Sequence, residues 1–152
     1  MIQTGMVQVR PFEPDDLLMI QAREPDSSIA AGIPDLVESA RLYEKYGPAF
    51  TGLIDGVPLA AAGLVIIWPG VATGWAFTSA MVPKYRLSFH RTIKQYLDML
   101  VRERNLHRVQ VEIPVSHTVS REWVKRLGFH EEGIMRQFGA DKSDYVRSVR
   151  LY

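Results

Sequence analysis

Apolar and polar residues alternate along "MVQVRPF", residues 6–12, and this period of two predicts a first strand. In "EPDDLLMIQA", Pro14 suits a first helical position and Asp15 and Asp16 suit a first turn, so a helix is expected to start there. "REPDSSIAAG", 23–32, is polar and broken and reads as a loop. A second helix runs through "PDLVESARLYEKYG": Pro34 opens it, Leu36, Val37, Ala40 and Tyr43 make its buried stripe, and Gly47 stops it. Asp55-Gly56 between two apolar runs predicts a hairpin, and Pro69-Gly70 predicts a further turn before a strand at 72–80. Across 88–105, Phe89, Ile93, Leu97, Leu100 and Val101 share one face of a long helix, with Arg91, Lys94, Asp98 and Arg102 elsewhere. "HRVQVEIPV" alternates cleanly as a strand, and "TVSREWVKRLG" is a short helix closed by Gly128. "FHEEGIMRQFG" and "DYVRSVRLY" are two last strands around a polar turn.

The predicted order is βααβββαβαββ. It makes a single α/β domain over residues 1–152, with a mixed sheet of about seven strands and about four helices. The strands at 72–80 and 107–113, joined by the long helix, should be parallel. Ligands of such sheets tend to sit beyond the carboxyl ends of parallel strands, which brings residues 81–91 and 112–120 to one end of the sheet.

Composition narrows the function classes. A chain of 152 residues is about one domain, and 47% hydrophobic with 23% charged residues is ordinary for a globular protein. A net charge of +1 gives no support to bulk attraction for nucleic acid or membrane. The absence of cysteine removes disulfides, thiolate catalysis and Cys-ligated metals, and His90, His107, His117 and His130 have no metal-ligand spacing. No targeting segment is expected, since the N-terminus lacks a basic region followed by a long apolar one. The run "VPLAAAGLVIIWPGVA" is too short and too interrupted to span a membrane. A cytoplasmic location is expected.

The junction "VPKYRLSFHRTI", 82–93, ends a strand-like stretch and opens the long helix. Phosphate-binding turns often occupy such junctions, because the first helical N–H groups point outward unpaired. Two readings are open here. Arg86, His90, Arg91 and Lys94 could attract an anion together with those N–H groups. Alternatively, Ser88 is an N-cap, Phe89 belongs to the buried stripe, and the basic residues form a solvated face.

The segment "VEIPVSHTVSREWVKRLGFHEEGIM" resembles a strand–helix–strand motif of the GCN5-related N-acetyltransferase (GNAT) superfamily. Val111-Glu112-Ile113 stand at the strand position, Ser120 keeps a small helix position, and Lys125 to Phe129 keep the end, followed by Glu132-Gly133. The predicted element order agrees with that fold over nearly the whole chain. The resemblance implies acetyl-CoA as co-substrate, held in a splayed V between the fourth and fifth strands. It implies pantetheine contacts from backbone groups near Met81 and Val82. It also implies a pyrophosphate loop of pattern Q/R-x-x-G-x-G/A, which aligns with Arg86, Leu87, Ser88, Phe89, His90 and Arg91. The Arg is kept, while both glycine positions are lost to Phe89 and Arg91.

In the branch of that family that acetylates protein N-terminal amines, the position of Glu112 is a general base. An ammonium must lose a proton before it can attack a thioester. The plainer reading of Glu112 is a surface carboxylate paired with Arg108 or Arg121. His117 stands where the family usually has Asn, and is either a pantetheine ligand or base, or a solvated turn residue. The usual acid Tyr falls at Val124, so a proton for the leaving thiolate must come from water or another residue such as Tyr145. Trp123 reads as a core anchor.

Two functions follow. One is an acyl-CoA-dependent N-acetyltransferase acting on a primary amine of a protein, peptide or small molecule. The other is a GNAT-fold protein that has lost catalysis and serves as a binding or structural part. "GWAFTSAMVPKYRLSFHRTIKQYLDML" also resembles small GNAT-like proteins of tailed bacteriophages and prophages, in which that loop is similarly eroded, so a virion-associated location is the alternative. Expected partners are the amine acceptor and a second copy in a homodimer, with no nucleic acid, membrane or metal.

Overall fold

The structure, a computed structural model, describes residues 7–20 and 35–152. The predicted loop at 23–32, Pro34, and the Gln21-Ala22 end of the first predicted helix lie outside the described residues. Among the described residues the elements are β1 (Gln8–Pro11), α1 (Asp16–Met19), α2 (Leu36–Lys45), β2 (Ala49–Ile54), β3 (Val57–Trp68) and β4 (Val71–Thr78). A 3-10 turn (Val82–Tyr85) then leads into α3 (Arg86–Glu103), β5 (Arg108–Pro114), α4 (Thr118–Arg126), β6 (His130–Met135) and β7 (Tyr145–Leu151). The strands form one mixed sheet in the order β1-β2-β3-β4-β5-β7-β6. No helix among the described residues is long and apolar enough to cross a membrane.

The predicted turns form for the predicted reasons. Asp55 and Gly56 have φ of 50° and 77°, the left-handed pair that joins two twisted strands tightly. Asp35 caps α2, its side chain accepting from Glu38 N at 3.0 Å. Gly47 does not end α2 through a left-handed backbone, since Tyr46 already caps the helix. Its hydrogen side chain lets the chain pass β3: a Cβ there would lie 1.7 Å from Leu64 O.

Asp16 is a first-turn acid of α1 as expected, and its carboxylate turns inward to Arg10 and Thr51. One prediction needs correction. Ser88 is not an N-cap. The helix has already begun at Arg86, and Ser88 Oγ accepts from Val7 N at 3.0 Å.

Helices cover the two faces of the sheet. Alternation along β3 sends Ala61 to one face and Leu64 to the other. Ala61 packs with Phe12, Leu17, Ala40 and Phe77, the layer of α1 and α2. Leu64 packs with Leu97 and Leu100 of α3, Val124 of α4, Val109 and Val146. The parallel pair β4–β5 is short, holding only Val71↔Arg108, Ala72↔Val109 and Thr73↔Gln110. Past these pairs the ladder ends, while β4 continues beside β3 and β5 beside β7. The sheet is therefore forked between its two halves.

Candidate active site

The fork opens into a cavity of about 480 Å³, lined by residues of β3, β4, β5, α3 and α4. Gly74 stands where the strands part, and a Cβ there would meet Val111 Cγ1 at 3.1 Å. The lining is mostly apolar, including Phe50, Trp75, Phe89 and Trp123, with Glu112, His117 and Ser120 among the polar positions.

Glu112 lies on β5, on the face opposite Val109 and Ile113. Its Oε1 accepts from Arg147 Nη2 at 3.1 Å and from Gln110 Nε2 at 3.3 Å. Neither partner expected from the sequence is used. Arg108 binds Glu132 through two hydrogen bonds, and Arg121 binds Glu131 and Val115 O. Arg147 became a partner because β7 inserts between β5 and β6 and sets Arg147 opposite Glu112. Nothing in the local sequence around Glu112 carries that pairing.

His117 occupies the N-cap position of α4, with its backbone carbonyl accepting from Arg121 N at 3.2 Å, and its side chain is on the cavity wall. Tyr145 faces Pro114 across the β5–β7 ladder and also lines the cavity. Its ring meets Phe138 edge-on at 5.1 Å. Burial, then the nearby Asp141 charge, push the Tyr145 phenol above its ordinary value, so it keeps its proton at neutral pH.

The junction before α3 is built differently from an open phosphate loop. Met81 N donates to Ser79 Oγ and Val82 N to Ser79 O, so both backbone donors serve the turn. The 3-10 turn runs directly into α3, which sets the carbonyls of 82–85 ahead of the amides of 86–89. Phe89 and Val82 are buried with Ile54, Leu59 and Ala60. Phe89 packs on Trp123 at 5.3 Å between centroids, and Trp123 Nε1 donates to His90 Nδ1 at 3.1 Å. These contacts tie the start of α3 to α4. Arg86, Leu87 and Arg91 are exposed.

Of the residues singled out from sequence, the fold brings Glu112, His117, Ser120 and Phe89 to the cavity wall. Met81, Val82, Arg86, Leu87, Ser88, His90 and Arg91 lie along the turn and the first two turns of α3, off that wall. Trp75 and Arg147 were not singled out from the sequence, and Tyr43 was read only as part of the buried stripe of α2, because contacts between distant elements give no local pattern.

No protein-family model matches the chain. No curated protein matches it in sequence. Solved structures match it closely in shape. A ribosomal-protein-alanine N-acetyltransferase from Brucella melitensis aligns with a TM-score of 0.75 at 15% identity, over 95% of this chain and 99% of that one. An acetyltransferase of the GNAT family from Bacillus anthracis gives 0.71 at 16% identity, over 99% and 97%. A chimeric spermidine N-acetyltransferase from Vibrio cholerae gives 0.71 at 17% identity, over 96% and 95%. The chain has the GNAT fold, a forked mixed sheet with helices on both faces.

Proposed function

We propose that this protein is an N-acetyltransferase that moves acetyl from acetyl-CoA to a primary amine. The observation that carries the proposal is the fork between β4 and β5, with the Glu112 carboxylate on the wall of the cavity it opens. The apolar wall fits pantetheine. Arg86 and Arg91, both exposed in the first two turns of α3, would supply the charge for pyrophosphate, since no glycine gives close backbone access.

In this mechanism Glu112 takes the proton of the acceptor ammonium, directly or through water. The freed amine forms the new N–C bond at the thioester carbonyl, its second proton passes to water, and the C–S bond breaks. Tyr145, protonated at neutral pH, gives its proton to the leaving thiolate and regains one from water. Arg147 holds the Glu112 carboxylate in position.

A second reading is a GNAT-fold binding protein without catalysis. The Phe89–Trp123–His90 contacts favour it, because they tie the start of α3 to α4 where an open anion loop would leave it free. Calorimetry separates the two. Micromolar binding of acetyl-CoA, with weaker binding of ADP, is expected of the transferase. A folded sample that binds neither acetyl-CoA, desulfo-CoA nor ADP would exclude it and leave the second reading. With binding in hand, Glu112→Gln should lower kcat on an amine screen by about 10²- to 10⁴-fold while acetyl-CoA affinity is unchanged.

A further inference from the structure

Arg108, Gln110 and Glu112 alternate along β5 on the face opposite Val109 and Ile113. Their side chains are joined end to end. Arg108 Nε donates to Gln110 Oε1 at 3.0 Å, and Gln110 Nε2 donates to Glu112 Oε1 at 3.3 Å. Behind Arg108 stands Glu132 of β6, which accepts from its Nη1 and Nη2. From β7, Arg147 Nη2 reaches the same Glu112 oxygen at 3.1 Å. One hydrogen-bonded chain thus runs over three strands, from Glu132 to Arg147. Both bonds to Glu112 end on Oε1, and among the described residues no hydrogen bond ends on Oε2.

Few side chains could stand in the middle of this chain. A guanidinium only donates and a carboxylate only accepts. Residues two apart on a strand are about 6.5 Å apart, so the group between must accept at one end and donate at the other. Gln does both. Arg108 Nε needs the amide oxygen, and so the amide NH2 is turned to Glu112. Gln110 is buried and the Glu112 side chain is only 14% exposed, so water competes little for these bonds. Gln110 is not on the cavity wall, while Glu112 is. We propose that Gln110 is a positioning residue: oriented by Arg108, its amide pins Oε1 together with Arg147 and so assigns Oε2 to the proton of the acceptor ammonium. That the proton comes from an acceptor amine rests on the transferase reading above; that Gln110 fixes the carboxylate does not.

Three variants of the full chain test this. Gln110→Glu keeps the shape and the bond from Arg108, but has no N–H for Glu112 and sets a second carboxylate against it. Gln110→Met keeps the length and loses both bonds. Arg108→Lys keeps the charge and loses the Nε donor at a partly exposed side chain, where folding is least at risk. Arg147, His117 and Tyr145 stay untouched in all three. Each variant should lower kcat on the amine screen about 5- to 10-fold and leave KM for acetyl-CoA unchanged. The acidic limb of kcat/KM should move to higher pH, furthest in Gln110→Glu, because a donor that favours the charged form is gone and a like charge has come. Adding Arg108→Lys to Gln110→Met should cost nothing further, since both cut one link. A second readout needs no turnover. The side-chain NH2 signals of Gln110, in protein labelled with ¹⁵N, are identified by their loss in Gln110→Met. The proton bonded to Glu112 should move upfield in Arg108→Lys and in Glu112→Met. Wild-type kinetics in a folded Gln110→Glu, or NH2 signals that ignore both changes, overturn the assignment. Turnover together with such silent signals sinks this inference and spares the transferase reading. Responsive signals in a protein that acetylates no amine uphold the support of Glu112 by Gln110 and count against that reading.

Discussion

Asp16 is completely buried, and donors from three segments close around it. Arg10 Nη1 and Nη2 donate at 2.8 and 2.7 Å, Glu13 N at 2.9 Å, and Thr51 Oγ1 at 2.5 Å. Burial pushes the carboxyl up, but the bonds from Arg10, Thr51 and Glu13 outweigh it and hold the group below the ordinary aspartate value. A folded value below the unfolded one stabilises the protein above the unfolded pKa. That stabilisation is lost as pH falls through the folded value. Asp16→Asn should therefore cost about 3 kcal/mol at pH 7, because it leaves Arg10 without its anion. The gap between variant and wild type should narrow at pH 3. Urea unfolding at both pH values measures this, and a gap independent of pH would show that the charge is not what matters. Glu112 is the opposite kind of acid. It touches one Arg and one Gln on a cavity wall, and its environment leaves room for a ligand.

The long helix α3 does two jobs that compete. Its apolar stripe of Phe89, Leu97, Leu100 and Val101 is buried, which requires a regular helix from its first turn. An anion cradle at the same place would require amides that the helix leaves free. The 3-10 turn at Val82–Tyr85 and the buried Phe89 settle the conflict in favour of packing. Pyrophosphate binding must then rest on side-chain charge. Arg86→Ala and Arg91→Ala should each weaken acetyl-CoA binding roughly 3- to 5-fold, as exposed charged hydrogen bonds do. Affinity of the wild type should also fall steeply between low and physiological salt. Calorimetry at two salt concentrations checks this; affinity indifferent to salt would mean that backbone groups hold the phosphates after all.

The molecule as a whole is two half-sheets joined by three β4–β5 residue pairs and by the core beneath them. Strands normally satisfy their backbone on both sides. Past Thr73, β4 keeps β3 but loses β5, and so alternate amides of residues 74–77 point into the fork. Those amides should exchange hydrogen faster than their neighbours that bond β3. Acetyl-CoA, if it lies in the fork, should slow them and leave the β6–β7 pair unchanged. Exchange read by NMR decides the matter. Protection that appears only at the start of α3 would place the ligand outside the fork.

The chain order of elements was legible because each rests on local chemistry. Period two marked β1 and β5, the 3.6 period marked α2 and α3, and Asp55-Gly56 marked its hairpin by the backbone it alone adopts easily. The site was legible only where one strand carried it, as with Glu112, and in the helix that follows, with His117 and Ser120. Its partners were not. Arg147 meets Glu112 through a strand that returns between two others, and Trp75 meets Tyr43 across a sheet-to-helix contact. The loss of both loop glycines was visible, but not its consequence. Whether Phe89 and Arg91 crowd a phosphate or simply continue a helix depends on where the helix starts. The sequence by itself determined which segments are strands and helices and which residue types stand at the fork, since propensity and periodicity act over a few residues. Only the tertiary structure decided where β4 and β5 part and which Arg holds Glu112. Those depend on how far apart two backbones lie and on what fills the space between them.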